Sequence, residues 1–159
     1  MSETEVMVAR PRSLAKGLLA GFIGGLVGTL AKTLAERMFP PRIHGEAEPV
    51  GTAAERVAGH PLDADTKAIA GEAIHWGFGA AVGAAYGALA EYYPAATSKE
   101  GASFGMALEA LTHESALPAL GLSVEPENET MRERSSEITS HVVYGVTTET
   151  VRGFVRKWL

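Results

Sequence analysis

Apolar residues recur along this chain at helical rather than strand spacing, and prolines and polar runs divide them into four blocks. Residues 14–38 (LAKGLLAGFIGGLVGTLAKTLAERM) contain no proline and stop at Phe39-Pro40-Pro41, where the ring and the missing N–H forbid continuation. Ser13 stands where an N-cap belongs. A long connection follows, with prolines at 40, 41, 49 and 61, in which TAAERVAGH can form a short helix. Asp63 or Asp65 then caps a second long block that ends before Pro94. A third block starts at Ser98 or Lys99 and is closed by Pro118 and Gly121; the acidic EPENETMRER reads as a connection to a fourth. Two-residue alternation is absent, and the β-branched residues Val142, Val143, Thr147, Thr148 and Val151 are the one local argument for a strand. The pattern predicts an all-α fold with helices near 13–38, 65–93, 98–116 and 135–158, in a single domain over 12–159 behind a flexible arm at 1–11.

Glycine spacing adds a packing prediction. Gly17, Gly21 and Gly25 lie four apart, Gly24 and Gly28 repeat the spacing one face over, and Gly79, Gly83 and Gly87 repeat it in the second helix. A spacing of four stacks these positions on one helix face, where absent side chains let two backbones approach closely. An interior glycine costs a helix in water about 1 kcal/mol relative to alanine, so this density calls for a compensating contact.

Small-residue seams are the packing route available in lipid, which raises the question of a membrane. The first helix is uncharged over residues 17–31 and the second over 76–90, 15 positions each. At 1.5 Å per residue that is about 22 Å, short of a hydrocarbon core of about 30 Å. Lys16 and Lys32 flank the first run and can snorkel to the interface. The seven Leu, Ile, Val and Phe residues from Leu18 to Leu30 favour insertion by roughly 2–4 kcal/mol in all. The third helix carries Glu109, His113 and Glu114 and enters lipid only inside a bundle that hides them. The prediction is a four-helix membrane bundle with glycine-zipper packing; the alternative is a soluble all-α bundle, a helical interaction domain that shields the seams by dimerising. Basic residues at 10, 12, 16, 152, 156 and 157 would share one side of a multi-pass bundle opposite the acidic EPENE segment, which places both termini in the cytoplasm.

Composition narrows the function. Net charge is −5 and the 14 basic residues are scattered, so the footprint of a nucleic-acid binder is missing and none is expected as a partner. No cysteine is present, which excludes disulfides, thiolate metal sites and a Cys nucleophile. The basic residues before the first apolar run lack a persuasive A-x-A site after it, so that run is expected to be retained. No Ser-His-Asp order, phosphate-cradling glycine loop or HExxH stands in the chain, and enzymatic activity is not expected. The expected partners are membrane lipid and either further copies of the chain or other membrane proteins.

The candidate chemistry lies in the small-residue rows. Gly71, His75, Gly79, Gly83 and Gly87 form one i+4 row, with Glu72 one turn before His75. Gly101, Gly105, Glu109 and His113 form another, and Glu137, His141, Gly145 and Glu149 a third. Three helices thus each carry a histidine and a carboxylate on a face built for close contact. Glu72, His75, Glu109, His113, Glu137 and His141 are the candidate buried cluster. Three readings stay open: hydrogen-bonded glue between helices, a site that handles protons or ions, and a metal or haem site using His75, His113 and His141. His44 and His60 are read as solvated in the long connection. Tyr86, Tyr92, Tyr93, Trp76 and Trp158 suit either an interfacial aromatic belt or core packing, and Glu149 with Arg152 an intrahelical ion pair.

Several of these patches together resemble the YagU-like inner-membrane proteins of bacteria, a family built on a domain of unknown function. The matching features are the glycine-rich first helix ending in Pro40-Pro41-Arg42, and His75 before an apolar run with Tyr86, Glu91 and Pro94. THESALPALGL from Thr112, and SEITSHVVYGVTTETVRGFVR with Ser136, Glu137, His141, Glu149 and Arg152, complete the match. The chain departs in its shorter tail, its long connection and its less hydrophobic third helix. The resemblance implies a small multi-span protein of the bacterial inner membrane with no established enzymatic activity and a link to acid tolerance.

Overall fold

The computed structural model describes residues 11–42, 48–123 and 126–159, and among these every regular element is helical. The arm expected at 1–11 and the connection residue His44 lie almost wholly outside the described residues; His60 is exposed. Helix α1 is Leu14–Met38, capped by the Ser13 hydroxyl as expected. Helix α2 is Pro49–Ala58, the short helix of the connection, with Pro49 in its first turn and Gly59 closing it at φ +77°. Helix α3, Ala64–Tyr92, starts from Asp63, whose carboxylate accepts the Thr66 N–H at 3.0 Å and is held below the usual carboxylate range by it.

Two boundaries differ from expectation. The third helix does not begin at Ser98 or Lys99: Pro94–Gly101 forms an irregular 3-10 segment in which Lys99, Glu100 and Gly101 take left-handed backbone (φ +51°, +51° and +88°). Helix α4 therefore starts at Ala102 and runs to Leu111. A π-turn, Thr112–Ala116, leads into one more turn, α5, Leu117–Ala119, which contains Pro118. The extra residue of the π-turn absorbs the backbone mismatch that Pro118 imposes. Helix α6, Met131–Trp158, starts four residues earlier than the 135 expected. Thr130 and Glu133 form a reciprocal capping box that converts the end of the polar connection into the first helical turn.

The four long elements run alternately up and down. The glycines set the layout by deciding where backbones touch. The row Gly17, Gly21, Gly25 of α1 meets Gly79, Gly83, Gly87 of α3: a Cβ built on Gly83 would lie 2.5 Å from the Gly25 Cα and 2.6 Å from the Gly21 carbonyl oxygen. The second α1 row meets α6, where a Cβ on Gly24 would lie 2.6 Å from the Thr148 carbonyl oxygen. A third seam joins α4 to α6, with Gly105 against His141 and Gly145 against Gly101 and Gly105. The glycine-zipper packing expected is present, and the structure shows which rows meet: the first-helix row faces the second-helix row in one of three seams among the described residues.

What this packing buries is small or polar. The buried apolar residues are Ala20, Ala54, Ala80, Tyr86 and Tyr144, while Thr29, Lys32, Glu109, Ser136, Glu137, Ser140, His141 and Thr148 are buried among them. Leu18, Leu19, Phe22, Val27, Leu30 and Leu34 of α1 face outward. Tyr86 belongs to the core rather than to an interfacial belt: its ring stacks on Phe104 at 4.0 Å, and Phe104 leans on Tyr144. By length and composition α1 alone among the described helices qualifies as a membrane span, so the multi-span expectation is not met on that measure.

Candidate functional site

One end of the bundle gathers the C-terminal turns of α1, the start of α2, residues 72–79 of α3, the π-turn after α4 and the first turns of α6 around a cavity of about 690 Å³. Helical spacing brings its chemistry in. Glu137 and His141 lie one turn apart on the α6 face that packs on α1 and α4, and the Gly105–His141 seam draws α4 close enough for His113 to reach them. The His113 and His141 rings stand edge to face with centroids 5.0 Å apart. Glu137 Oε2 lies 3.6 Å from His113 Nε2 and 3.8 Å from His141 Nδ1.

The hydrogen bonds fix part of this arrangement. His141 Nδ1 is 2.8 Å from the Glu137 carbonyl oxygen, which can only accept, so Nδ1 carries the proton and Nε2 presents its lone pair. Glu137 is 3% exposed and its two oxygens differ. Oε1 accepts from Arg42 Nη2 at 2.9 Å, whereas Oε2 is fully enclosed, lies 3.9 Å from Lys32 Nζ and has no hydrogen-bond partner. The Lys32 ammonium is committed to Glu36, one turn on in α1, and Ser140 also donates to Glu36, at 3.3 Å. Two cations and two carboxylates therefore neutralise one another beside two imidazoles.

The predicted cluster is met in part. His113, Glu137 and His141 converge, with one donor atom of each within 4.8 Å of the other two. His75 lines the same cavity but stands apart from that group, with Nε2 3.3 Å from the Thr33 hydroxyl. The three-histidine set thus becomes two histidines and a carboxylate. Glu72 is not in the buried cluster: it is exposed and accepts from the Trp76 indole at 3.0 Å. Glu109 is buried on α4, one turn before His113. Sequence reasoning missed Lys32, Glu36 and Arg42. Lys32 had a ready explanation as a flanking lysine, and the i,i+4 pairing of Lys32 with Glu36 was the signal that it turns inward.

A second polar group closes the opposite end. Glu149 takes both guanidinium donors of Arg152 at 2.6 Å, the ion pair expected, and also accepts from the Tyr86 hydroxyl at 2.8 Å. Glu91 accepts from the Ser13 N–H at 3.1 Å and pairs with Arg156, which also donates to the Pro11 carbonyl. These contacts tie the start of α1 to the ends of α3 and α6. They are enclosed by packed helices, without the histidines or the uncommitted carboxylate oxygen of the first end.

A family model described as a protein of unknown function (DUF1440) matches residues 26–150, and the chain belongs to that family. The match includes the glycine seams of α3 and all of the His113–Glu137–His141 group. No curated protein and no solved structure matches the chain.

Proposed function

We propose that this chain is an integral membrane protein of the YagU-like kind, a helical bundle of the bacterial inner membrane without enzymatic activity. Its end cavity exchanges protons with one aqueous face and serves a structural or acid-stress role. The observation that carries the membrane reading is the orientation of side chains in α6. Over residues 138–155 the exposed positions are Thr139, Thr150 and Phe154, while Glu149 and Arg152 turn inward with side chains only 15% and 11% exposed. Those 18 residues rise about 27 Å, close to the thickness of a hydrocarbon core. The same holds for residues 73–90 of α3, where the exposed positions are Ala73, Gly77, Phe78, Ala81, Ala85 and Leu89. Residues 17–35 of α1 bury their one charge, Lys32. The wall made by α4 is shorter, and its exposed residues Met106, Ala107 and Leu111 are apolar. A protein in water buries its large apolar side chains and exposes its charges, so a charged interior under an apolar exterior is the arrangement lipid favours.

The proton reading rests on the polar end. There two imidazoles share an enclosed carboxylate beside the cavity, an arrangement able to pass a proton between neighbouring side chains. Fractionation tests the first half. The chain is expected in the membrane pellet after carbonate washing and to need detergent for extraction; recovery in the high-speed supernatant of a detergent-free lysate refutes it. Proton flux in liposomes tests the second half. A His113→Gln, His141→Gln double variant that inserts normally is expected to lose the flux and pH response of the parent between pH 4 and 8, and unchanged behaviour removes the proton role.

A further inference from the structure

We infer that His113, Glu137 and His141 form a binding site for one divalent first-row transition-metal ion of the Zn²⁺ or Co²⁺ class. Their donor atoms all lie within 4.8 Å of one another, with His113 Nε2 and Glu137 Oε2 at 3.6 Å. Bonds of 2.0–2.1 Å in a tetrahedral site set donors about 3.3 Å apart, so closure on an ion needs side-chain shifts of about an ångström. Two imidazoles and one carboxylate suit zinc, cobalt or iron, whereas calcium and magnesium require mostly oxygen ligands. The cavity leaves room for water in the fourth position.

Two further features point the same way. Glu137 Oε2 is enclosed, faces both rings and makes no hydrogen bond, although its sister oxygen is held by Arg42. An enclosed carboxylate oxygen without a partner is costly, and a metal ion bonded to it removes that cost. The His141 Nδ1–H is spent on the Glu137 carbonyl, which orients the ring and leaves the Nε2 lone pair free, so a small ring rotation accompanies closure on the ion. Lys32 Nζ, 3.9 Å from Glu137 Oε2, makes its close ion pair with Glu36 instead. The inference rests on the cavity described above and is independent of the membrane placement. Metal and protons compete for the same nitrogen lone pairs, so binding weakens as the solution is acidified.

Titration of the full-length, tag-free protein with Co²⁺ alone after chelator stripping tests this. One equivalent is expected to bind and to give the visible d–d bands of a tetrahedral N/O site. His113→Ala and Glu137→Gln, checked for native helicity by circular dichroism, are expected to weaken binding at least 100-fold, while His75→Ala retains it. If Glu137→Gln misfolds, His113→Ala against His75→Ala makes the same distinction from the less buried side of the site. Absence of saturable binding, or equal binding by parent and His113→Ala, overturns the site. Loss in His75→Ala equal to that in His113→Ala overturns this ligand set. Failure here leaves the proton reading intact, because flux in metal-free liposomes is measured separately.

Discussion

Alanine placed at Gly83 and, separately, at Gly77 adds the same methyl group to two positions of α3 with opposite expected outcomes. At Gly77 a Cβ would meet nothing within 4 Å. At Gly83 it would lie 2.5 Å from the Gly25 Cα, 2.6 Å from the Gly21 carbonyl oxygen and 2.8 Å from the Gly25 nitrogen, all of them backbone. Favourable carbon–carbon separation is about 3.5–4.0 Å, so α1 must retreat by about 1.0–1.5 Å from the 2.5 Å contact. No side chain is available to swing aside, which puts the overpacking cost near the upper end of the usual range, about 3 kcal/mol. Alanine's better helix propensity returns about 1 kcal/mol at either position. Gly83→Ala is therefore expected to destabilise by about 2 kcal/mol and Gly77→Ala to stabilise by about 1 kcal/mol. Propensity cancels in the comparison, leaving about 3 kcal/mol as the cost of overpacking the seam, or a gap of roughly 6–12 °C in Tm for a chain of this size. Thermal unfolding of both variants followed by circular dichroism in one detergent measures it. A Gly83→Ala protein as stable as Gly77→Ala would refute the close approach of α1 and α3.

Two more substitutions probe the ends of the bundle. Glu91→Gln removes the carboxylate that Arg156 and the Ser13 N–H share in a site where the two charged side chains are 6% and 12% exposed, and a loss of about 3 kcal/mol is expected. Amide exchange should rise first at the start of α1 and the last turns of α6, and uniform loss of protection would count against a local tie. Thr130→Ala abolishes the capping box of α6 at a cost of about 1 kcal/mol, with faster exchange confined to its first turn. Unchanged exchange there would place the start of the helix nearer Ser135.

The helices were legible where local chemistry agrees with the tertiary structure. Phe39-Pro40-Pro41 ends α1, Ser13 and Asp63 cap, and the prolines at 49 and 94 start or stop elements where local rules place them. The boundaries that moved are those where tertiary contacts decide. Lys99 and Glu100 take left-handed backbone, which their types do not announce, because Gly101 must meet Gly145 and so sets the entry angle of α4. Pro118 reads as a terminator but sits one π-turn inside the helical path. Glycine spacing marked the contact faces of α1 and α3, because both repeat every four residues, while the pairing of one with the other was left to the fold. Within the site, the i+4 rows placed His113, Glu137 and His141 on inward faces, but no spacing rule relates α4 to α6. Which rows meet depends on Gly105 opposing His141, and His75 is carried to another wall of the same cavity.

The same distinction explains why hydropathy along the chain singles out α1. A window average counts Glu137, His141, Glu149 and Arg152 against α6 as though each faced the surroundings. In the fold all four turn towards α1, α3 or α4, and what α6 presents outward between residues 138 and 155 carries no exposed charge. Glycine, His75, Trp76 and Tyr86 likewise lower the average of α3, although Gly79, Gly83 and Gly87 are contact surface and the outward residues between 73 and 90 are Phe78, Leu89, Gly77 and alanines. The seams and the polar interior are thus linked. Close backbone approach leaves no room for large apolar side chains between helices, so these go outside, and the groups left inside are small or must pair with one another. A Tyr86 hydroxyl on Glu149 and an Arg42 guanidinium on Glu137 are such pairings. Among the described residues that pairing stops short at Thr148 Oγ1 and at Glu137 Oε2, and the second of these lies beside two imidazoles and a cavity, which makes that end the candidate site.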